Sequence, residues 1–221
     1  MPNPTAAYGA VVYASGVSTV DTAEACSFLS GTNPNEVFQV TAAAKRVWDP
    51  TIAVTVKDNG VTLTAGTQYV FNYLFGTIQF VSYTPTTPVT VTGQYLPLVE
   101  AVLSSKFEIN IKQTLADTTS FDSAGAMQRT GTLISYEGSL STFDVGNTIL
   151  DGVAGTWETW LLNATPKVLS ILMGTGNSYF RSWVLFESMK NSGATASVFD
   201  TAISWKSIIS AGVATAYGWG T

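Results

Sequence analysis

Apolar and polar residues alternate along much of this chain. From about residue 37 to 112, β-branched and aromatic side chains alternate with Thr, Gln and Asn between closely spaced turn residues, a pattern that predicts antiparallel strands. Ile52, Val54 and Val56 fall on one face and Ala53 and Thr55 on the other. They precede Asp58-Asn59-Gly60, whose Asn-Gly step suits the positive φ of a tight hairpin. Tyr69, Phe71, Tyr73 and Phe75 at period two, then Gly76, then Thr77-Ile78-Gln79-Phe80-Val81, predict a second, aromatic-rich hairpin. Thr84-Pro85-Thr86-Thr87-Pro88 interrupts the ladder because proline has no N–H to pair, and Val89-Thr90-Val91-Thr92 resumes it. Phe107, Ile109 and Ile111 face away from Glu108, Asn110 and Lys112, as in a half-solvated strand. Residues 113–128 show no sustained period and read as a long loop before a strand at about 130–143.

Helical signals concentrate in one place. Thr156 is a capping residue, Glu158 suits the positive end of a helix dipole, and Trp157, Trp160 and Leu161 share a face, so a short helix is expected over about 154–164. Pro166 ends it. A hairpin of 167–173 and 179–189 around Gly174-Thr175-Gly176-Asn177 follows, then a last strand over roughly 196–209. The tail, 211–221, is small and glycine-rich apart from Tyr217 and Trp219, and reads as a segment that docks on a partner or stays mobile.

Composition narrows the chemistry. The 221 residues are long enough for a substantial core without staples. Only 11% of residues are charged, against about 25% in an average soluble domain, so Thr, Ser, Gly, Asn and apolar groups must face solvent or other proteins. There is no histidine and a single cysteine, Cys26, which removes the usual routes to metal sites, thiol redox, disulfides and imidazole acid/base chemistry. A net charge of −5, with basic residues spread singly except at Lys45-Arg46, argues against tight nucleic-acid binding. The N-terminus lacks a basic region followed by an apolar stretch, and no apolar run approaches the roughly 20 residues of a membrane span, so folding in a cytoplasm is expected.

Individual motifs favour structural readings. Gly174-Thr175-Gly176 lacks the third glycine of a dinucleotide loop and is followed by strand-like residues, so it reads as a hairpin turn. Asp117-Thr118-Thr119, Asp21-Thr22-Ala23 and Asp200-Thr201-Ala202 all lack the glycine of an aspartic-protease loop. Asn163-Ala164-Thr165 matches a glycosylation acceptor, but Pro166 follows it. The stripe Tyr69, Phe71, Tyr73, Phe75 has no basic companions for base stacking and reads as core or interface, and Cys26 as an inert buried thiol.

A resemblance enters at Lys106-Phe107-Glu108-Ile109-Asn110-Ile111-Lys112, followed by Asp117-Thr118-Thr119-Ser120-Phe121 and then Gly131-Thr132-Leu133-Ile134-Ser135-Tyr136-Glu137-Gly138-Ser139-Leu140-Ser141. In this order, with the short helix ending at Ala164-Thr165-Pro166-Lys167 and the strands 168–173 and 179–186, the chain resembles the major tail (tail tube) proteins of long-tailed, siphovirus-type bacteriophages. The segment from Lys45-Arg46-Val47-Trp48 to Gln94-Tyr95-Leu96-Pro97 is similar to an extension in some tail proteins. The resemblance implies a mainly β fold, an antiparallel β-sandwich or barrel with one short flanking helix. It implies rings, usually hexameric, stacked into a hollow tube around a tape-measure protein and later conducting DNA as transient, non-specific cargo. Tail-initiation and tail-terminator proteins would be further partners, with assembly in the host bacterial cytoplasm, residence in the virion tail, and no membrane. It carries over no enzymatic activity, catalytic residue, cofactor or metal. The expected layout is an N-terminal arm and first strand region at 1–35, a β-rich hairpin extension at 36–98, the β-sandwich core with its helix at 99–209 and a C-terminal arm at 210–221. Residues 113–130, 1–20 and 211–221 are the candidate contacts between rings. The rival readings are another virion component, such as a capsid-decoration or terminator protein, a carbohydrate-binding β-sandwich using exposed Trp and Tyr, and a hydrolase built on paired carboxylates.

Overall fold

The computed structural model describes residues 10–101, 104–117, 129–142, 156–173, 178–192, 200–208 and 217–220. They form two sheets in which every ladder is antiparallel, with one short helix. The larger sheet contains β1 (Val11–Ser15), β9 (Leu98–Glu100), β10 (Ser104–Asp117), β11 (Arg129–Thr142), β12 (Lys167–Leu172), β13 (Tyr179–Ser192) and β14 (Asp200–Ser207), in the order β10-β11-β14-β13-β12-β1-β9; β15 (Tyr217–Gly220) also pairs with β13. The smaller sheet contains β2 (Thr19–Ser30), β3 (Val37–Val40), β4 (Thr55–Asp58), β5 (Val61–Thr62), β6 (Tyr69–Asn72), β7 (Thr77–Phe80) and β8 (Val89–Tyr95), in the order β5-β4-β8-β2-β3-β7-β6.

Alternation explains most of this layout. In the smaller sheet Phe38, Val40, Val56, Tyr69, Phe71, Ile78, Phe80, Val89 and Val91 point into one core, while Thr, Ser and Gln occupy the intervening positions. The sheet curls into a half-barrel, drawn together where the Tyr69 hydroxyl donates to the Val54 carbonyl at 3.1 Å. Asn59 (φ 45°) and Gly60 (φ 83°) form the expected two-residue turn between β4 and β5, but Ile52 lies outside the strand and is exposed. The aromatic stripe departs from expectation. The chain turns at 73–76, so Tyr69 and Phe71 stay on the strand while Phe75 leaves this core for the larger sheet. Gly76 permits that turn: its φ is +59°, and a Cβ would lie 2.7 Å from the Arg46 carbonyl oxygen.

The larger sheet has its own core, built from Leu140, Tyr136, Leu169, Ile171, Phe180, Val184, Phe186, Ile203 and Trp205 and covered by helix α1 (Trp157–Leu162). The Thr156 hydroxyl accepts from the Thr159 N–H as the cap, and Trp157 and Trp160 both pack on Phe186. Residues 154–155 of the expected helix lie outside the described residues. β12 and the first half of β13, to Phe186, are largely buried on both faces, which explains their apolar runs. One face joins the helix-covered core. The other presents Val168 and Trp183 to Val47, Leu74 and Leu96, a third cluster that joins the two sheets. The chain crosses between the sheets at adjacent points, where the Gly16 N–H donates to the Pro97 carbonyl at 2.7 Å.

Several boundaries move. Val11–Ser15, expected within an arm, form β1 between β9 and β12. β2 lies at the centre of the smaller sheet, which therefore begins at Thr19 and ends at Tyr95. Residues 113–117, expected as loop, continue β10 because β11 pairs with them as far as Asp117 opposite Arg129; 118–128 lie outside the described residues. The hairpin turn at 174–177 also lies outside them. The strand expected over 196–209 is β14, Asp200–Ser207; residues 196–199 and 209 lie outside the described residues. In the tail, Tyr217–Gly220 pair with β13 of the same chain, which alternation did not reveal because glycine holds every second position.

Gly138 pairs in register with Trp205, and a Cβ there would collide with the Glu108 carbonyl and lie 2.6 Å from the indole. Gly138→Ala is expected to destabilise the fold by about 2 kcal/mol through overpacking, read as a lower urea midpoint with an unchanged m-value.

Candidate assembly surface

The strongest candidate surface is the end of the β10–β11 hairpin. β14 pairs with β11 only from Glu137 to Thr142, so among the described strands Arg129–Ser135 pair only with β10, as a two-stranded ribbon. Residues directly opposite in an antiparallel pair share a face. The core-side row Phe107, Ile109 opposite Gly138 and Ile111 opposite Tyr136 therefore continues outward to Gln113 opposite Ile134 and to Leu115. Past the core this row has no cover: Ile111 is 58% exposed, Leu115 51% and Ile134 53%. The other side of the ribbon carries Lys112 opposite Ser135, and the Lys112–Glu137 ion pair. Among the described strands, β10 pairs only with β11, leaving a fourteen-residue edge.

Elsewhere in the described structure, Asp58, Lys45 and Arg181 are tied into local networks. Asp58 is 2% exposed and accepts from the Thr86 N–H (2.8 Å), the Thr86 hydroxyl (3.0 Å), the Tyr83 hydroxyl (2.9 Å) and the Thr87 N–H (2.9 Å). Burial by itself raises the pKa of this carboxyl, but these four hydrogen bonds outweigh it and hold the value below the ordinary range. Lys45 bridges Glu24 (2.6 Å) and Asp21 (2.9 Å), which raise its pKa. Arg181, 6% exposed, donates to the Leu74 carbonyl at 2.9 Å and stacks on Tyr179 and Phe75; burial lowers its pKa. A cleft of about 400 Å³ opens beside this junction, bordered by Ser18, Asp49, Thr51, Thr165, Lys167 and Trp183. The Asp49 carboxylate is engaged by Thr51 through both its N–H and its hydroxyl, and the Lys167 ammonium lies over the Trp160 ring.

The motif residues do not converge on one site. Asp21 sits in the smaller sheet, Asp117 at the far end of the ribbon, and Asp200 at the opposite end of β14. Asn163 follows the last turn of α1. Cys26 is half-buried, and burial, with the Glu24 charge adding to it, pushes its thiol up to about 12. Each Trp and Tyr whose burial is described is buried or half-buried. Asp58 and Arg181 were missed by the sequence reading. Asp58 read there as one residue of the Asn-Gly turn, and Arg181 as one residue of an apolar strand.

The chain matches no family model and no curated protein. Among the described residues, no helix is long and apolar enough to cross a membrane.

Because the folded pKa of Asp58 is depressed, its stabilisation is complete above the unfolded carboxyl pKa of about 4 and is lost as pH falls through the lower folded value. Asp58→Asn is expected to cost about 2 kcal/mol at pH 7, with the difference from the parent protein shrinking as denaturation is followed from pH 6 towards pH 3.

Proposed function

We propose that this chain is a non-enzymatic structural protein that assembles with copies of itself, and that the assembly is the tail tube of a long-tailed bacteriophage. The observation that carries the reading is the unpartnered ribbon. A two-stranded hairpin is marginal in water, and one displaying Ile111, Leu115 and Ile134 gains most by packing on another surface. The fourteen-residue edge of β10 adds a row of backbone donors and acceptors suited to pairing with a neighbouring sheet. The motif segments Lys106–Lys112 and Gly131–Ser141 fall on these two strands, which links the resemblance to the surface. A net charge of −5 suits a conduit, since an acidic wall repels phosphate and lets DNA slide. In this reading the rings are hexameric, enclose a tape-measure protein, and meet initiation and terminator proteins at the tube's two ends.

Negative-stain electron microscopy of the purified protein at rising concentration, with light scattering on the same samples, tests the proposal. Rings or hollow tubes of uniform diameter are expected. A protein that stays monomeric at every concentration, with and without tail-initiation proteins, overturns it. Ile111→Asp with Leu115→Asp is expected to raise the concentration needed for assembly at least tenfold while moving folding stability by roughly 0.5 kcal/mol per site, as for other exposed positions.

A further inference from the structure

β14 and β15 occupy one lane along β13. β14 pairs with β13 from Asp200 opposite Ser192 to Ser207 opposite Val184, and the Ile208 N–H then donates to the Trp183 carbonyl. β15 takes up the lane at the next position, Tyr217 opposite Ser182, and follows it to Gly220 opposite Tyr179. Ile208 and Tyr217 thus sit beside consecutive residues of β13, yet residues 209–216 separate them in the sequence. One strand continuing through the lane would need none of those eight residues, whereas eight residues reach up to about 28 Å when extended.

The second half of the lane is selective. A Cβ on Gly218 would lie 2.7 Å from the Phe75 ring. That ring is held in turn by Tyr179, at a centroid distance of 6.2 Å, and by the Arg181 guanidinium at 5.5 Å. The site accepts an extended strand with glycine at this one position, and β15 of any copy of the chain satisfies it equally.

We infer that the edge of β13 from Tyr179 to Ser182, with Phe75, is a strand-acceptor site, and that in the assembled state it receives β15 from a second copy. Residues 209–216 act as the connection between copies. Exchange keeps every hydrogen bond of the lane and adds a link between chains, so it strengthens an assembly without requiring a new contact surface. The inference rests on the self-assembly reading, because it needs a second copy, but it uses the backbone edge of β13 rather than the exposed row of Ile111, Leu115 and Ile134.

The test uses the full chain carrying Ser182→Cys and Tyr217→Cys in a Cys26→Ser background, oxidised before and after assemblies are collected by sedimentation and run on non-reducing gels. Dilute protein is expected to cross-link within the monomer, and assembled protein to give covalent dimers and larger species, with mixed species when isotopically light and heavy chains are combined. Assemblies that form but cross-link only within chains overturn the exchange and leave self-assembly standing. Absence of any assembly overturns both. Gly218→Val gives an independent measurement: its β15 seats poorly on any copy, so the concentration needed for assembly should rise at least tenfold. An unchanged threshold overturns the exchange.

Discussion

The two-sided burial of β13 is the constraint on which the rest of the structure depends. Phe180, Val184 and Phe186 on one face hold helix α1 and the larger core, while Arg181 and Trp183 on the other hold the smaller sheet. The same strand pairs with β12, β14 and β15. A strand enclosed in this way has little room for charge, and the one charge it carries there, Arg181, is placed against a carbonyl and two aromatic rings. Both cores and the lane that β15 occupies are positioned from this strand.

Much of the fold was legible because alternation speaks directly where one face of a sheet meets water. The hairpin at Asn59-Gly60, the strands at Val89–Tyr95 and Lys167–Leu172 and the cap at Thr156 follow from local pattern and turn chemistry. What stayed hidden depends on partners distant in sequence. Residues 113–117 are strand only because β11 pairs with them, and Phe75 reads as one more member of an alternating row until the chain turns at 73–76. β15 has too few side chains to show a period. Of the candidate surface, the alternation of Phe107, Ile109 and Ile111 was legible, but the exposure of this row beyond Tyr136 depends on where β14 stops, and no pattern within the hairpin carries that.

Two of the few charges tie distant segments together. Asp58 gathers the residues around Pro88 through four hydrogen bonds, and Lys45 joins β2 to the turn that follows β3. The larger share of surface polarity comes from Thr, Ser and Gln on strands. Such side chains solvate a sheet face without the long-range repulsion that would keep like-charged copies apart.

The paired crossing between the sheets has an architectural consequence. β1 and β9 are antiparallel neighbours with Ser15 opposite Leu98, so everything from β2 to β8 hangs on one point of a hairpin in the larger sheet. The smaller sheet is topologically a plug-in. A short turn from Ser15 to Leu98 would close the larger sheet with its ladder hydrogen bonds intact, at the cost of uncovering Val168 and Trp183 and of removing the Leu74 carbonyl and Phe75 ring that hold Arg181. The unit is therefore separable in topology: the strand order of the larger sheet does not depend on it.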